Sequence, residues 1–298
     1  AQRLKWIAVL LGAMAVMLFW SLRRHSPDAS YKANVGEVAA TTNSHMLLAS
    51  PANQLPGGAF TAIIRAAREL SSAEGKAQAL ERLRQAFAAG PADQAVAGIR
   101  QCLDSKTDAA TGREFKLGDH GSLVEAPTFR TFLLDQLARI DPAAAAEYAR
   151  TILTSSDSPD EWAMALRSLA RGDQRMDART MLEAKTDALL HNEAWQQNPS
   201  VGYLEAFDTA VYLGGTNLLP ALGDLVRKKD NQAVAHAAFL TLDRLAINQP
   251  TETLTALAQH PEWMLGREET RANYFARADV GNATQRRLVE AYLLDPAR

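Results

Sequence analysis

Residues 127–142 read PTFRTFLLDQLARIDP, and a degenerate copy returns at 239–250 as FLTLDRLAINQP. In both, LDxLA is followed by a proline eight residues after the opening leucine: Leu134 to Pro142, and Leu242 to Pro250. In the first copy Phe129, Phe132, Leu133, Leu137 and Ile140 recur at the spacing of one buried helical face. The proline ends that helix, and its fixed φ suits the first turn of the next. The repeating unit is therefore helix, short turn, helix.

Working outward, the same pattern covers most of the chain. Phe60, Ile63, Ile64, Ala67 and Leu70 mark a first helix, and Ser71-Ser72 with Glu74 open a second, which buries Leu80, Leu83 and Phe87. Gly90-Pro91 stops it, and Val96, Ile99 and Leu103 face inward on a third. After 127–140 and 143–154, Asp157 or Ser158 caps a helix with Pro159 in its first turn and Trp162, Leu166 and Leu169 inside. Further helices are expected near 176–191, 201–213, 217–228, 231–247, 251–259, 267–277 and 283–294. The comparable positions Leu80, Leu134, Leu166, Phe207, Leu242 and Phe275 recur at the length of a two-helix repeat once an insertion in the first interval is set aside. The expected fold class is all-α, with a stack of antiparallel helix pairs over residues 59–298.

That insertion is 104–126, DSKTDAATGREFKLGDHGSLVEA. Phe115–Leu117 and Ser122–Val124 flank a glycine-bounded turn, which predicts a small hairpin. Loops of this length in compact repeats tend to carry function. Phe115, Leu117, Asp119 and His120 are accordingly candidate partner contacts; a hairpin that merely fills a gap between helices is the alternative.

The chain opens differently. Leu4–Leu22, LKWIAVLLGAMAVMLFWSL, is apolar apart from Lys5 and Ser21. Nineteen residues at about 1.5 Å each span roughly the hydrocarbon thickness of a bilayer. Trp6 and Trp20 stand at its ends, where aromatic rings settle at membrane interfaces, with Leu10, Leu11 and Phe19 between them. Residues 1–25 are expected to form a single-pass anchor in a bacterial inner membrane, with the bulk of the chain in the periplasm. Residues 26–58, rich in Ser, Asn, Pro and Gly, form a linker: either a flexible tether, or a strap that meets a neighbouring subunit through Leu47, Leu48 and Leu55.

Charge excludes one class. Of 32 basic residues, Arg3, Lys5, Arg23 and Arg24 flank the apolar run, and all 34 acidic residues follow it, so the remainder carries 28 − 34 = −6. Phosphate contacts dominate nucleic-acid affinity, and an acidic body supplies them poorly. The one cysteine, Cys102, reads as a small buried hydrophobe. Six scattered histidines form no metal-binding spacing, and no phosphate-loop, dinucleotide or nucleophile-elbow motif occurs. No cofactor, metal site or catalytic residue is expected. Asp160-Glu161 and Glu268-Glu269 read as first-turn acids at positive helix ends. Tyr203, Phe207 and Tyr212 read as a core stripe, with a groove lining as the alternative.

Over residues 60–295 the helix–Pro–helix pattern of Leu134–Pro142 and Leu242–Pro250 resembles HEAT-like and armadillo-like α-solenoids. The resemblance implies an extended surface that binds other proteins. The expected role is a non-catalytic, membrane-anchored interaction or scaffold protein, touching lipid through its first helix and acting as an accessory subunit of a larger membrane complex. Two other classes stay open. Lipase-specific foldases are similar in plan, although their FDYFLSA-type motif is missing here and Phe129–Leu137, FRTFLLDQL, is only a faint echo of it. A helical-toroid enzyme would need His and acidic residues converging in a concave pocket.

Overall fold

The computed structural model describes residues 59–295 apart from Asp119 and His120. Trp6, Leu10, Leu11, Phe19, Trp20, Leu47, Leu48 and Leu55 lie outside the described residues. The described chain is all-α apart from one two-stranded hairpin. None of its helices is long and apolar enough to cross a membrane.

Three helices precede the insertion: α1 (Ala59–Arg68), α2 (Ala73–Ala89) and α3 (Ala92–Asp104). Ser72 caps α2 by accepting the Gly75 amide at 3.1 Å, and Gly90 ends it. The insertion pairs β1 (Lys116–Leu117) antiparallel with β2 (Leu123–Glu125), matching Lys116 to Glu125 and Leu117 to Leu123. It is followed by α4 (Phe129–Ile140), α5 (Pro142–Ser155), α6 (Pro159–Gly172) and α7 (Met176–Leu190). Then come three short helices, α8 (Glu193–Gln197), α9 (Val201–Glu205) and α10 (Asp208–Leu213). The chain ends in α11 (Leu219–Val226), α12 (Gln232–Asn248), α13 (Pro250–Gln259), α14 (Glu268–Ala276) and α15 (Ala283–Leu294), with 3-10 turns at Thr216–Leu218 and Pro261–Met264.

The two LDxLA copies fold alike. A single residue joins α4 to α5: Asp141 closes one helix and caps the next, accepting the Ala144 amide at 2.9 Å, with Pro142 in the first turn. Gln249 is likewise the single residue between α12 and Pro250 of α13, though its side chain makes no cap bond. Leu134 and Leu137, like Leu242 and Leu245, are buried. The proline's missing amide falls where a helix has no partner for it, so the turn can be one residue long.

The helices pack as two rows. One runs α2, α4, α6, α9 with α10, then α12, each against the next. The other runs α7, α11, α13, α15, preceded by α3 and α5, which are bridged by Arg100 to Glu147 at 3.1 Å and by the Tyr148 hydroxyl to Asp104 at 2.8 Å. One continuous core lies between the rows, from Phe60 to Phe275. The six aligned positions Leu80, Leu134, Leu166, Phe207, Leu242 and Phe275 are all buried in it.

Three expectations need correction. Ile63 and Leu70, read as inward, are 40% and 41% exposed: α1 packs one stripe, Phe60, Ile64 and Ala67, against α2 and α3, and Leu70 lies beyond its end. The expected helix 201–213 is broken at Ala206–Phe207, where the Thr209 and Ala210 amides bond three residues back and tighten the turn. Glu193–Gln197, unforeseen, is nucleated by Asn192, whose side chain accepts the Trp195 amide at 3.1 Å.

Candidate functional site: the insertion and its arginine rungs

The insertion is stitched to the first row mainly through its own main chain. Arg68 and Lys76 donate to the Thr107 and Ala110 carbonyls at 3.5 and 2.6 Å, and Arg84 and Arg139 to those of Val124 and Leu123 at 3.0 and 3.2 Å. Thr111, fully enclosed, donates its hydroxyl to the Ala126 carbonyl. The Leu123 amide donates to Asp135 at 2.9 Å, so the acid of the first LDxLA copy serves to seat the hairpin. Cations on α1, α2 and α4 thus supply charge-assisted donors to the insertion's main-chain carbonyls.

Phe115 is 5% exposed and belongs to the core, so it offers no surface to a partner. Leu117 is half-buried and packs on the same core. Asp119 and His120 fall outside the described residues. What the hairpin turns outward is Arg113, Glu114, Lys116 and Val124.

Beneath the insertion lies a buried ion pair. Arg130 on α4 donates Nε and Nη2 to the Glu161 carboxylate at 2.6 and 3.2 Å, and Nη1 to the Leu103 carbonyl at 2.5 Å. The two side chains are 10% and 7% exposed. Glu161 also accepts the Ser156 hydroxyl at 2.9 Å, while the Arg130 amide donates to Asp108 at 3.0 Å. Burial opposes the charge of Arg130, and the bidentate carboxylate more than offsets it, holding the guanidinium pKa above its ordinary value. Burial, and then Asp104, push the Tyr148 hydroxyl well above the usual tyrosine range. Every strong donor of Arg130 is engaged, so this cluster works as a clamp joining α3, α4, α6 and the start of the insertion.

The pair Asp160-Glu161 is therefore more than a first-turn ornament. Asp160 accepts the Ser200 hydroxyl at 2.6 Å and the Gly202 amide at 3.1 Å, tying α6 to α9. Burial raises its pKa, against the pull of those two donors. Gly202 is required at this contact, because a β-carbon there would stand 2.3 Å from the Asp160 carboxylate. Cys102 is buried as expected, and burial pushes its thiol pKa up. Tyr203 and Phe207 are core, in edge-to-face contact at 5.4 Å, whereas Tyr212 is 53% exposed.

Farther along the first row, Gly121 of the hairpin turn, at φ +66°, sits against Arg167 and Arg171 of α6. Arg167 reaches the Glu205 carbonyl at 3.2 Å, but the Glu205 and Asp208 carboxylates stand off at 3.7 and 3.9 Å. Asp208 is held tightly by Arg244 of α12 at 2.5 Å. Burial lowers the Arg167 pKa despite those two acids. A succession of arginine–carboxylate rungs thus links neighbouring first-row helices: Arg130 with Glu161, Arg167 with Glu205, and Arg244 with Asp208.

The opposite ends of these helices form an edge of turns. Tyr212 donates its hydroxyl to the Ala170 carbonyl at 2.8 Å, a β-carbon on Gly214 would meet Gln249, and Gln285 donates to the Thr251 hydroxyl at 2.9 Å. These contacts set the turns near Met176, Tyr212, Ile247 and Val280 side by side, and those four side chains are 77%, 53%, 54% and 60% exposed.

Sequence reasoning missed the clamp and the rungs because each joins residues about 30 to 40 apart with no local pattern. The one available signal was a recurrent Arg or acid on otherwise apolar faces. No family model, no characterised protein and no solved structure matches this chain.

Proposed function

We propose that this protein is a membrane-anchored α-solenoid whose stacked helix pairs act as an interaction scaffold, an accessory subunit of a larger membrane complex on the periplasmic face of a bacterial inner membrane. The observation that carries the solenoid reading is the pair of rows, the first of which packs each helix on its predecessor. Repeats arranged so offer a long surface for little core, and their usual use is to hold another protein. The stitched-down insertion supports the same reading: its main chain is committed inward while Arg113, Glu114, Lys116 and Val124 point outward on a rigid mount. The anchor rests on Leu4–Leu22 and its terminal tryptophans.

The test is gentle detergent extraction of native membranes followed by native electrophoresis, with a photo-crosslinking residue at Lys116 or Met176. Migration within a complex, with crosslinks from Lys116 or Met176 to one recurrent membrane subunit, is the expected outcome. Migration as a lone chain would remove the basis for the scaffold reading. A soluble chain in the same extraction would remove the anchor while leaving the solenoid untouched.

A further inference from the structure

We propose that the stack carries a built-in pivot where α6 meets α9 and α10, and that the curvature of the stack is set by how tightly Arg167 engages Glu205 and Asp208. This inference concerns the described helices alone and does not depend on the membrane reading.

The joints on either side are well made. Between α4 and α6 the rung is the Arg130–Glu161 pair, with bidentate contact and a shortest distance of 2.6 Å. Between α10 and α12 it is Arg244–Asp208 at 2.5 Å. The intermediate joint also pairs an arginine with carboxylates, yet these stand off by about an ångström more, at 3.7 and 3.9 Å. Arg167 is only 14% exposed, and its Nε is enclosed without a hydrogen-bond partner. The Tyr203 hydroxyl of α9, also enclosed, has none either. A buried donor without a partner is destabilising, and this joint holds two of them.

The backbone is also softest here. Where the other first-row helices are single and long, this repeat is built from α9 and α10, joined at Ala206–Phe207 by i to i+3 bonds and ended by Gly214 at φ +59°. Short segments with tightened turns are where a helical row can bend without losing a full hydrogen-bond ladder.

Hydrogen bonds fasten the joint at both of its ends. At one rim Asp160 holds Ser200 and Gly202, beside edge-to-face contacts from Trp162 to Trp195 and from Trp195 to Tyr203. At the other, Tyr212 holds the Ala170 carbonyl and Arg179 the Leu213 carbonyl at 2.7 Å. Rotation of α9 and α10 toward α6 by about an ångström would bring Arg167 Nη2 into direct contact with the Glu205 and Asp208 carboxylates. Bistable packed joints of this kind turn sub-ångström changes into changes of curvature. A partner that prefers the closed rung would select it.

The test is pulsed electron–electron distance measurement on the full-length chain in detergent micelles, with spin labels at exposed positions. Met176→Cys with Ile247→Cys spans the joint, and Glu147→Cys with Met176→Cys stays on one side of it. The expected result is a narrow distribution for the second pair and a broad or double-peaked one for the first, changed in its proportions by Glu205→Gln. Equally narrow distributions for both pairs would overturn the proposal. So would a broad distribution across the joint that Glu205→Gln leaves unaltered in a variant with unchanged circular dichroism.

Discussion

The Arg130–Glu161 clamp gives the sharpest quantitative expectation. Its side chains are 10% and 7% exposed, and Glu161 receives two donors from Arg130 and one from Ser156. Removing one member leaves the other charged and enclosed, which costs about 3–5 kcal/mol in comparable pairs, whereas replacing both by apolar groups of similar volume is often close to neutral. Arg130→Met should therefore destabilise by about 3–5 kcal/mol, and Glu161→Met by a similar amount. The double variant keeps the loss of the Leu103 carbonyl's donor, worth about 1 kcal/mol, but carries no orphaned charge. It should fall well short of the sum of the singles. For a helical body of this size each kcal/mol moves Tm by about 2–4 °C, so either single should lower it by about 6–20 °C and the double by far less. Thermal and urea melts followed by far-ultraviolet circular dichroism read all four corners of the cycle. A double variant as costly as the two singles added together would refute the reasoning, as would singles costing under about 1 kcal/mol.

Further outcomes follow from single contacts. Gly172→Ala should destabilise by at least about 1–3 kcal/mol in a urea melt, because its β-carbon would lie 2.0 Å from the Pro142 carbonyl oxygen and only backbone can give way. Ser158→Ala removes the oxygen that accepts the Glu161 amide and should cost about 1 kcal/mol. Asp173, clasped by Arg175 and Arg150, has its pKa held well below the usual carboxylate range. Its folded pKa lies below its unfolded one, so its stabilisation is present above about pH 4 and is lost as pH falls toward the folded value. Asp173→Asn should thus flatten the acid limb of a stability-versus-pH curve, and an unchanged limb would contradict the assignment. Cys102, buried with a raised pKa, should resist maleimide at pH 7 in the folded chain and react once urea unfolds it.

The helices were legible because they are governed by short-range rules. Ser72, Ser158 and the Asp141-Pro142 junction announce themselves within four residues, and the apolar period of Phe129 to Leu137 states which face goes in. The hairpin strands were found to within a residue for the same reason, from Gly118 and Gly121. What escaped is what depends on distance. Phe115 looks like an exposed hairpin aromatic until α4 and the rest of the core are in place to cover it. Glu161 looks like a dipole-complementing acid until Arg130, 31 residues earlier, is seen to reach it. Ile63 follows its helix's period correctly, yet only one side of α1 meets other described helices.

The way residues 107–126 are fastened has an evolutionary consequence. Lys76, Arg84 and Arg139 grip main-chain oxygens, which every amino acid possesses, so the letters displayed at positions 113, 114, 116 and 124 are largely relieved of any duty to the fold. Those four sites can drift, or be randomised in a library, while the mount underneath stays put. Selection for a new binding specificity would meet little structural resistance there.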